Sequence, residues 1–589
     1  MTSVWYIGPA LERLVSASVW ANAIGSGSYV DSSWDVTNGW SLPQAGFSTA
    51  QLNLLANDSE FLLGQADGSR VLTTVSPQTK DTALSYYQAV KTLAAQASNS
   101  ASSRLVNIGD NGLGTNLLAN AVSTSGTSRH YWIVGVGVTG IALAWRHWYT
   151  DLTNPKSDKD PGGSIVFSAS VEVISSTNPG TSAGTIYRLT FGGKTQATLD
   201  PGARITCDLL GLSLLPGDVI AVRTFLVSGT AYAPRKTWGA GDGGFTATTD
   251  LTAPGSAAVT AVFNGLSFNA SELLGYPDSP NTAKSVLALG DSIGIGLGDS
   301  GATTTFQTKN GGFIARALSG KAGLINFAVG GDCATYFQAT NGSFHRLGGL
   351  PRCNSAIIQY GTNDIVLPLA ASVVQACNLN LATNIRRMGI TKVFLTTLVP
   401  RTTSTDGWLT TTNQTPLSTE SVRVAYNAWV RAGCPIDPIT LVAVAVGTAS
   451  ALVAGQSGHP ISGIFDVAAT VESSLNSGFW LPAQRVTTGS ITSSASVLTS
   501  AGANFQSANQ ELGGDLGTIV NIRGAGASGV DLIVAIAAFT NSTAVTVGAV
   551  AGTTVTNGAL GIGLATIDGV HPSSRGHNLM AQAINLAVL

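Results

Sequence analysis

Charge is what this sequence has least of. Asp, Glu, Lys and Arg together make up 11% of its 589 residues, against roughly a quarter in ordinary globular chains. The formal net charge is -2, and no run of Lys or Arg occurs anywhere in it. Nucleic acid and anionic membrane are thereby excluded as partners recognised by charge. Hydrophobic residues stand at a normal 44%, too many for a disordered chain. Polarity is therefore carried by Ser, Thr, Asn, Gln and Gly. That suits a β-rich, extracellular or structural protein better than a cytosolic enzyme.

Cysteine is scarce as well. Cys207, Cys333, Cys353, Cys377 and Cys434 are an odd set with no C-x-x-C pair, which fits neither a disulfide framework nor a zinc site. Four lie in the central region, where one internal bridge is open. The N-terminal MTSVWYIGPALERLV lacks a basic segment followed by an apolar one, so no signal peptide is visible. The most apolar run, ITLVAVAVGTASALVAG (residues 439–455), is short for a membrane span and broken by Gly447, Thr448 and Ser450. It is expected as buried core or as a loop packed on the core. Extracellular character without an export signal leaves cell lysis, as for virion proteins, as a way out.

The chain is too long for one core, and three or four domains are expected. Residues 1–125 form a mixed module. Helix starts are predicted at Ser48, with Gln51 at capping-box spacing and Leu52, Leu55 and Phe61 following, and at Asp81. Over 126–280, short apolar or alternating runs such as GSIVFSASVEVIS and DVIAVRTFLVSG are separated by Gly, Pro and Asn turns, LLPGD (214–218) among them. They predict a β-sandwich of jelly-roll type. From 281 the runs SVLAL, AGLINFAV, SAIIQYG and TKVFLTTLV alternate with helical segments. That predicts a three-layer α/β/α domain on a parallel sheet. Residues 484–563 interrupt it as a small β insert, and 564–589 complete it with a helix beginning near Ser573.

In parallel sheets ligands bind at the carboxyl ends of strands. SVLALGDSIGIGLG (285–298) places Ser292 just past such an end. A serine hydroxyl is a poor nucleophile unless a base lies in hydrogen-bond reach, a third group fixes that base, and donors face the developing oxyanion. Among six histidines only His571 lies three residues after an acid in a loop, DGVHPSS (568–574). That spacing lets Asp568 reach Nδ1 and leaves Nε2 for a serine. Donors are offered by NFAVGGD (326–332), with free N–H groups at Gly330 and Gly331, and by QYGTND (359–364), with Asn363. Each block alone reads equally as an ordinary turn.

Taken together and in this order, the four blocks resemble the SGNH (GDSL) hydrolase family of esterases and lipases, over residues 284–482 and 564–589. The resemblance implies Ser292 as nucleophile, His571 as base and Asp568 as its orienting acid. It also implies an oxyanion hole of the Ser292 N–H, the Gly331 N–H and the Asn363 side chain, with no metal or cofactor. Ile293 stands where Leu is usual, and Ala328 where many members carry Gly. The stretches YIGPALERLVSASVW and WDVTNGWSLPQAGFSTAQLNLLANDSEFLL look like N-terminal modules of minor tail or tail-fibre proteins of tailed phages. The insert is similar to small β modules of such proteins. These likenesses imply a virion-tail esterase that removes O-acyl groups, O-acetyl first among them, from host cell-surface glycan. They further imply other tail proteins as partners and a homotrimer. Two other readings stand beside it: a receptor-binding tail protein whose hydrolase fold only holds glycan, and a bacterial secreted carbohydrate esterase or lipase. The insert must be rooted near the Ser292–His571 cleft, either as a wall of the substrate groove or as a module pointing into solvent.

Overall fold

The computed structural model describes residues 105–110, 126–174, 185–229, 243–257, 259, 266–279, 283–299, 311–338, 344–347, 352–367, 369–510 and 513–589. It also describes short strands within 1–65, 121–122, 231–232 and 235–236. The chain divides into two compact units, one of Met1–Arg104 with Thr190–Thr195 and Thr206–Leu209, the other containing the rest. In the first unit, Thr2–Tyr6 pairs antiparallel with Ser41–Pro43 and with Phe61–Gln65. Phe61, expected in a helix, therefore lies in a strand opposite Tyr6. Its apolar FLL triplet is recruited by sheet pairing, which overrides a helical spacing read locally. The helix starts at Ser48 and Asp81 lie outside the described residues.

The second unit begins with two antiparallel sheets. In one, Val219–Gly229 pairs with both Ile165–Ile174 and Gly126–Val134. The other includes Val138–Arg146 paired with Glu272–Pro277. Trp145 of the second sheet packs against Phe167 of the first, ring centroids 5.2 Å apart, and its Nε1 donates to Thr224 Oγ1 at 3.2 Å. The two sheets thus face each other as a sandwich. Its core also encloses charge: Arg129 and Arg223 share Glu172, and Arg146 and Arg204 share Glu272.

Next comes a five-stranded parallel sheet in the order Gly323–Asn326, Ser285–Gly290, Ser355–Gln359, Lys392–Thr396, Gly463–Phe465. Successive side chains of the Ser285–Gly290 strand alternate between two apolar layers, as the pleat requires. Val286 and Ala288 join Phe313, Ile314 and Met580 of the helices Gly312–Leu318 and Ser574–Ala581. Leu287 and Leu289 join Val374, Leu381, Tyr426 and Trp429 of Ala371–Arg387 and Glu420–Arg431. Burial on both faces is why these strands read as unbroken apolar runs.

The insert is a closed six-stranded barrel. Its core includes Leu498, Phe505, Val520, Val545 and Leu560, and closure leaves no sheet edge unpaired. The first and last strands pair with Arg485 opposite Ile562, so the insert leaves and rejoins its host at one place.

Two readings left open by the sequence are decided here. Of the two readings of the apolar run 439–455, buried core or a loop packed on the core, the structure shows the second. Ala443, Leu452 and Ala454 pack against the core, but Ile439 is 89% exposed, and Val442 and Val446 are exposed too. The run folds as a turn-rich loop hung on bridges from Ile436 to Ala443 and Leu452. A loop of this kind can turn only some of its side chains inward. The cysteine bridge left open above does not form at Cys333 or Cys434, which are buried thiols outside any disulfide; burial pushes both thiols up. Among the described residues, no helix is long and apolar enough to cross a membrane.

Candidate active site

The Ser285–Gly290 strand ends in a tight turn into a one-turn helix, Ser292–Ile295. Asp291 caps that helix, its carboxylate accepting the Ile293 N–H at 2.9 Å. Ser292 is thereby set at the head of the helix, where a backbone N–H has no partner within the helix. Its side chain is almost covered, with the residue 8% exposed. Ser292 Oγ lies 2.9 Å from His571 Nε2, and His571 Nδ1 lies 2.7 Å from Asp568 Oδ2. The structure thus joins Ser292, His571 and Asp568 in one hydrogen-bonded line.

The Asp568–His571 loop is held rigidly. Asp568 Oδ1 accepts the N–H groups of Val570 and His571 at 2.9 and 2.8 Å. Burial alone would raise the Asp568 carboxyl. The hydrogen bonds from the His571 ring and these two N–H groups outweigh it and hold the carboxyl below its usual range. Thr566 Oγ1 donates to the His571 carbonyl and accepts the Gly569 N–H. Gly569 sits at φ +82°, and a Cβ there would lie 1.9 Å from the Thr402 carbonyl oxygen; only glycine fits. The Gly569 carbonyl accepts from Trp480 Nε1 and from the Thr402 N–H, both at 2.9 Å. Trp408 Nε1 in turn donates to Thr402 Oγ1 at 3.0 Å. The loop around Trp408 is gripped by the barrel: Asn521 Nδ2 donates to the Gly407 carbonyl and Arg523 Nη2 to the Thr405 carbonyl, each at 3.0 Å.

Gly331 and Asn363 follow the two strands that flank Ser285–Gly290. Three contacts hold the strand ends together: Val329 N–H to the Gly290 carbonyl at 2.9 Å, Asn326 Nδ2 to the Gly294 carbonyl at 3.0 Å, and Asp291 N–H to Gln359 Oε1 at 3.3 Å. Gly331 has φ +72° and is exposed. Asn363 Nδ2 donates to the Asp332 carbonyl at 2.9 Å, which ties the two donor blocks together and leaves the second amide hydrogen to be used elsewhere. The Asp332 carboxylate is fixed from behind by Arg346 Nη1 at 2.6 Å and the Tyr360 hydroxyl at 2.8 Å. Among the described residues, no group of three His, Cys, Asp or Glu is arranged to hold a metal ion.

Asp291 carries a cost of its own. It is buried and its Oδ2 has no partner, so burial pushes its carboxyl up from 3.8 to about 7. The folded state therefore binds a proton that the unfolded chain releases. The stability this contributes is complete below pH 3.8 and is lost as pH rises through about 7, with a slope of at most about 1.4 kcal/mol per pH unit. The thermal midpoint should fall across that window more steeply for the wild type than for Asp291→Asn. Equal slopes in melting curves from pH 4 to 8 would show that Asp291 does not carry this term.

No family model and no curated protein matches the chain. Similar solved structures include an α/β hydrolase, LAE5, from the metagenome of Lake Arreo in Spain. It is 15% identical over 20% of this chain and 61% of that one, with a TM-score of 0.16. AlinE4, an SGNH-hydrolase family esterase, is 23% identical over 20% and 60%, TM-score 0.16. A GDSL-like lipase from Bacteroides thetaiotaomicron VPI-5482 is 12% identical over 52% and 87%, TM-score 0.24. The chain spans about three fifths of the length of the first two. These are partial likenesses, and the chemistry has to be read from the site.

The residues that clamp the Asp568–His571 loop were not legible in sequence. Trp480 lies 89 positions from Gly569, and nothing local marks Thr402 or Trp408 as its neighbours.

Proposed function

We propose that the chain is a serine esterase of the SGNH type. The observation that carries this is the line Ser292 Oγ, His571 Nε2, Asp568 Oδ2, with separations of 2.9 and 2.7 Å, at the carboxyl end of a parallel sheet. In this reading His571 takes the serine proton as Oγ attacks the ester carbonyl. Asp568 holds the ring with its proton on Nδ1 and stabilises the imidazolium. The N–H groups of Ser292 and Gly331 and the Asn363 amide receive the oxyanion. The alcohol leaves with the proton from His571, and a water activated by the same ring releases the acid. A panel of p-nitrophenyl esters of rising acyl length, run on wild type and Ser292→Ala, tests this. Hydrolysis unchanged in the variant would remove the enzyme reading.

Asn363→Ala should lower kcat on p-nitrophenyl acetate by on the order of 10²-fold, the usual cost of one oxyanion donor. A change in kcat smaller than about threefold would take Asn363 out of the hole.

The finer reading is removal of O-acyl groups, O-acetyl first, from host cell-surface polysaccharide by a homotrimeric protein carried on a phage tail beside other tail proteins. Low charge, many β segments and the tail-like stretches support it. Static light scattering that gave a monomer mass would remove the trimer. The second reading, a glycan-holding receptor-binding protein without catalysis, is disfavoured because all three members of the line are present and in contact.

A further inference from the structure

The sandwich reaches into the candidate site. Its hairpin of Tyr149–Asp151 and Ser157–Lys159 is bolted to the hydrolase domain. The buried Asp158 carboxylate accepts the Arg346 N–H and Nε, each at 2.9 Å. His345 bonds to Asp160 at 2.5 Å and stacks on Trp148, with centroids 5.4 Å and planes 9° apart. At the tip of the hairpin, Lys156 Nζ comes within 3.7 Å of where a Cβ on Gly331 would sit, and Cε within 3.6 Å. A cation from one domain is thus held rigidly beside the oxyanion turn of another.

That cation is unusual in its company. Lys156 is 7% exposed. The other basic side chains buried this well, Arg129, Arg146, Arg223, Arg346 and Arg423, each pair with a carboxylate. Among the described residues Lys156 pairs with none. Its acceptors are the Leu152 carbonyl and Asn154 Oδ1, the latter at 2.8 Å. Both are neutral, and an ammonium has a third donor to place. The carboxylates nearest along the chain to Gly331 and Asn363 are committed elsewhere. Asp332 accepts from Arg346, Tyr360 and the Cys333 N–H. Asp364 accepts from the N–H groups of Ala334 and Thr335 and from Thr335 Oγ1. Burying a charge without a counter-charge is costly, so a site that maintains one is built to receive an anion.

We propose that Lys156 forms an anion subsite beside the oxyanion turn and that the ester is carried by a sugar bearing a carboxylate. This rests on the esterase reading and narrows it to acidic glycans. A carboxylate that the substrate carries throughout compensates Lys156 during binding, whereas the oxyanion exists only briefly and already has its own donors.

The test compares acetylated polygalacturonate with acetylated glucomannan as acidic and neutral substrates, on wild type, Lys156→Gln and Lys156→Arg. The acidic-to-neutral ratio of kcat/KM should fall on the order of tenfold in Lys156→Gln and be partly restored in Lys156→Arg. In the wild type it should also fall with added salt. An unchanged ratio, or an equal loss on both substrates, would overturn the proposal; the latter would place Lys156 on the oxyanion. If the wild type cleaves no ester, the esterase reading fails by itself. The subsite is then read by calorimetry with galacturonate oligosaccharides on the full chain. Binding that exceeds that of neutral oligosaccharides and is lost in Lys156→Gln supports it, and binding without such a preference overturns it.

Discussion

Ester hydrolysis is expected to collapse by about 10⁴-fold or more in kcat in both Ser292→Ala and His571→Ala. Ser292 Oγ has His571 Nε2 as its hydrogen-bond partner, so Ser292→Ala removes the nucleophile of the esterase reading and little else. The small helix it heads is capped by Asp291 rather than by the serine. The melting temperature should therefore stay near that of the wild type while activity disappears. His571→Ala removes the base, and a serine hydroxyl without a base is almost inert at neutral pH. Because the two residues act as one unit, the double variant should be scarcely worse than either single one. Multiplicative losses in steady-state assays on p-nitrophenyl acetate would mean that the two do not act together. Near-wild-type rates in either variant would mean that the reaction occurs elsewhere.

Asp568→Asn should cost on the order of 10³- to 10⁴-fold in kcat with the fold retained. The carboxylate does two separate jobs. Oδ1 accepts the N–H groups of Val570 and His571, and Oδ2 faces His571 Nδ1. An asparagine can keep the first arrangement with its carbonyl oxygen. It then presents an NH₂ group to Nδ1, which forces the ring proton onto Nε2. A ring in that tautomer cannot accept the serine proton. The loss should appear in kcat far more than in KM, since the substrate does not need Asp568 to bind. A loss of less than about tenfold would show that His571 does not depend on this acid for its tautomer.

The parts of this architecture that were legible in sequence are those whose cause is local. Strands buried on both faces have no option but to be apolar, so the runs at 285–290 and 355–359 announce themselves. An acid three residues before a histidine can reach its ring whatever the rest of the chain does, so Asp568 and His571 could be paired on paper. Ser292 was marked by an abrupt stop in an apolar run. What escaped has causes far away in sequence. Phe61 is in a strand because Tyr6 lies opposite. Lys156 sits in a Pro- and Asp-containing stretch that reads as an ordinary loop. Its meaning depends on Gly331, more than a hundred residues later.

The grip of Asn521 and Arg523 on two backbone carbonyls bears on how this protein can be recombined. A closed barrel whose termini lie side by side is, in folding terms, an interchangeable cassette. Any other with adjacent ends spans the gap between Trp480 and Asp568 equally well. The Asp568–His571 loop is less permissive. The Thr405 and Gly407 carbonyls accept hydrogen bonds from side chains of the cassette, and that stretch of backbone carries Trp408, which anchors Thr402 against Gly569. A shuffled cassette lacking donors at those two places would still fold and would leave the histidine loop less firmly backed. Exchange of this module would therefore be constrained twice, by chain closure and by two carbonyl oxygens outside the barrel's core.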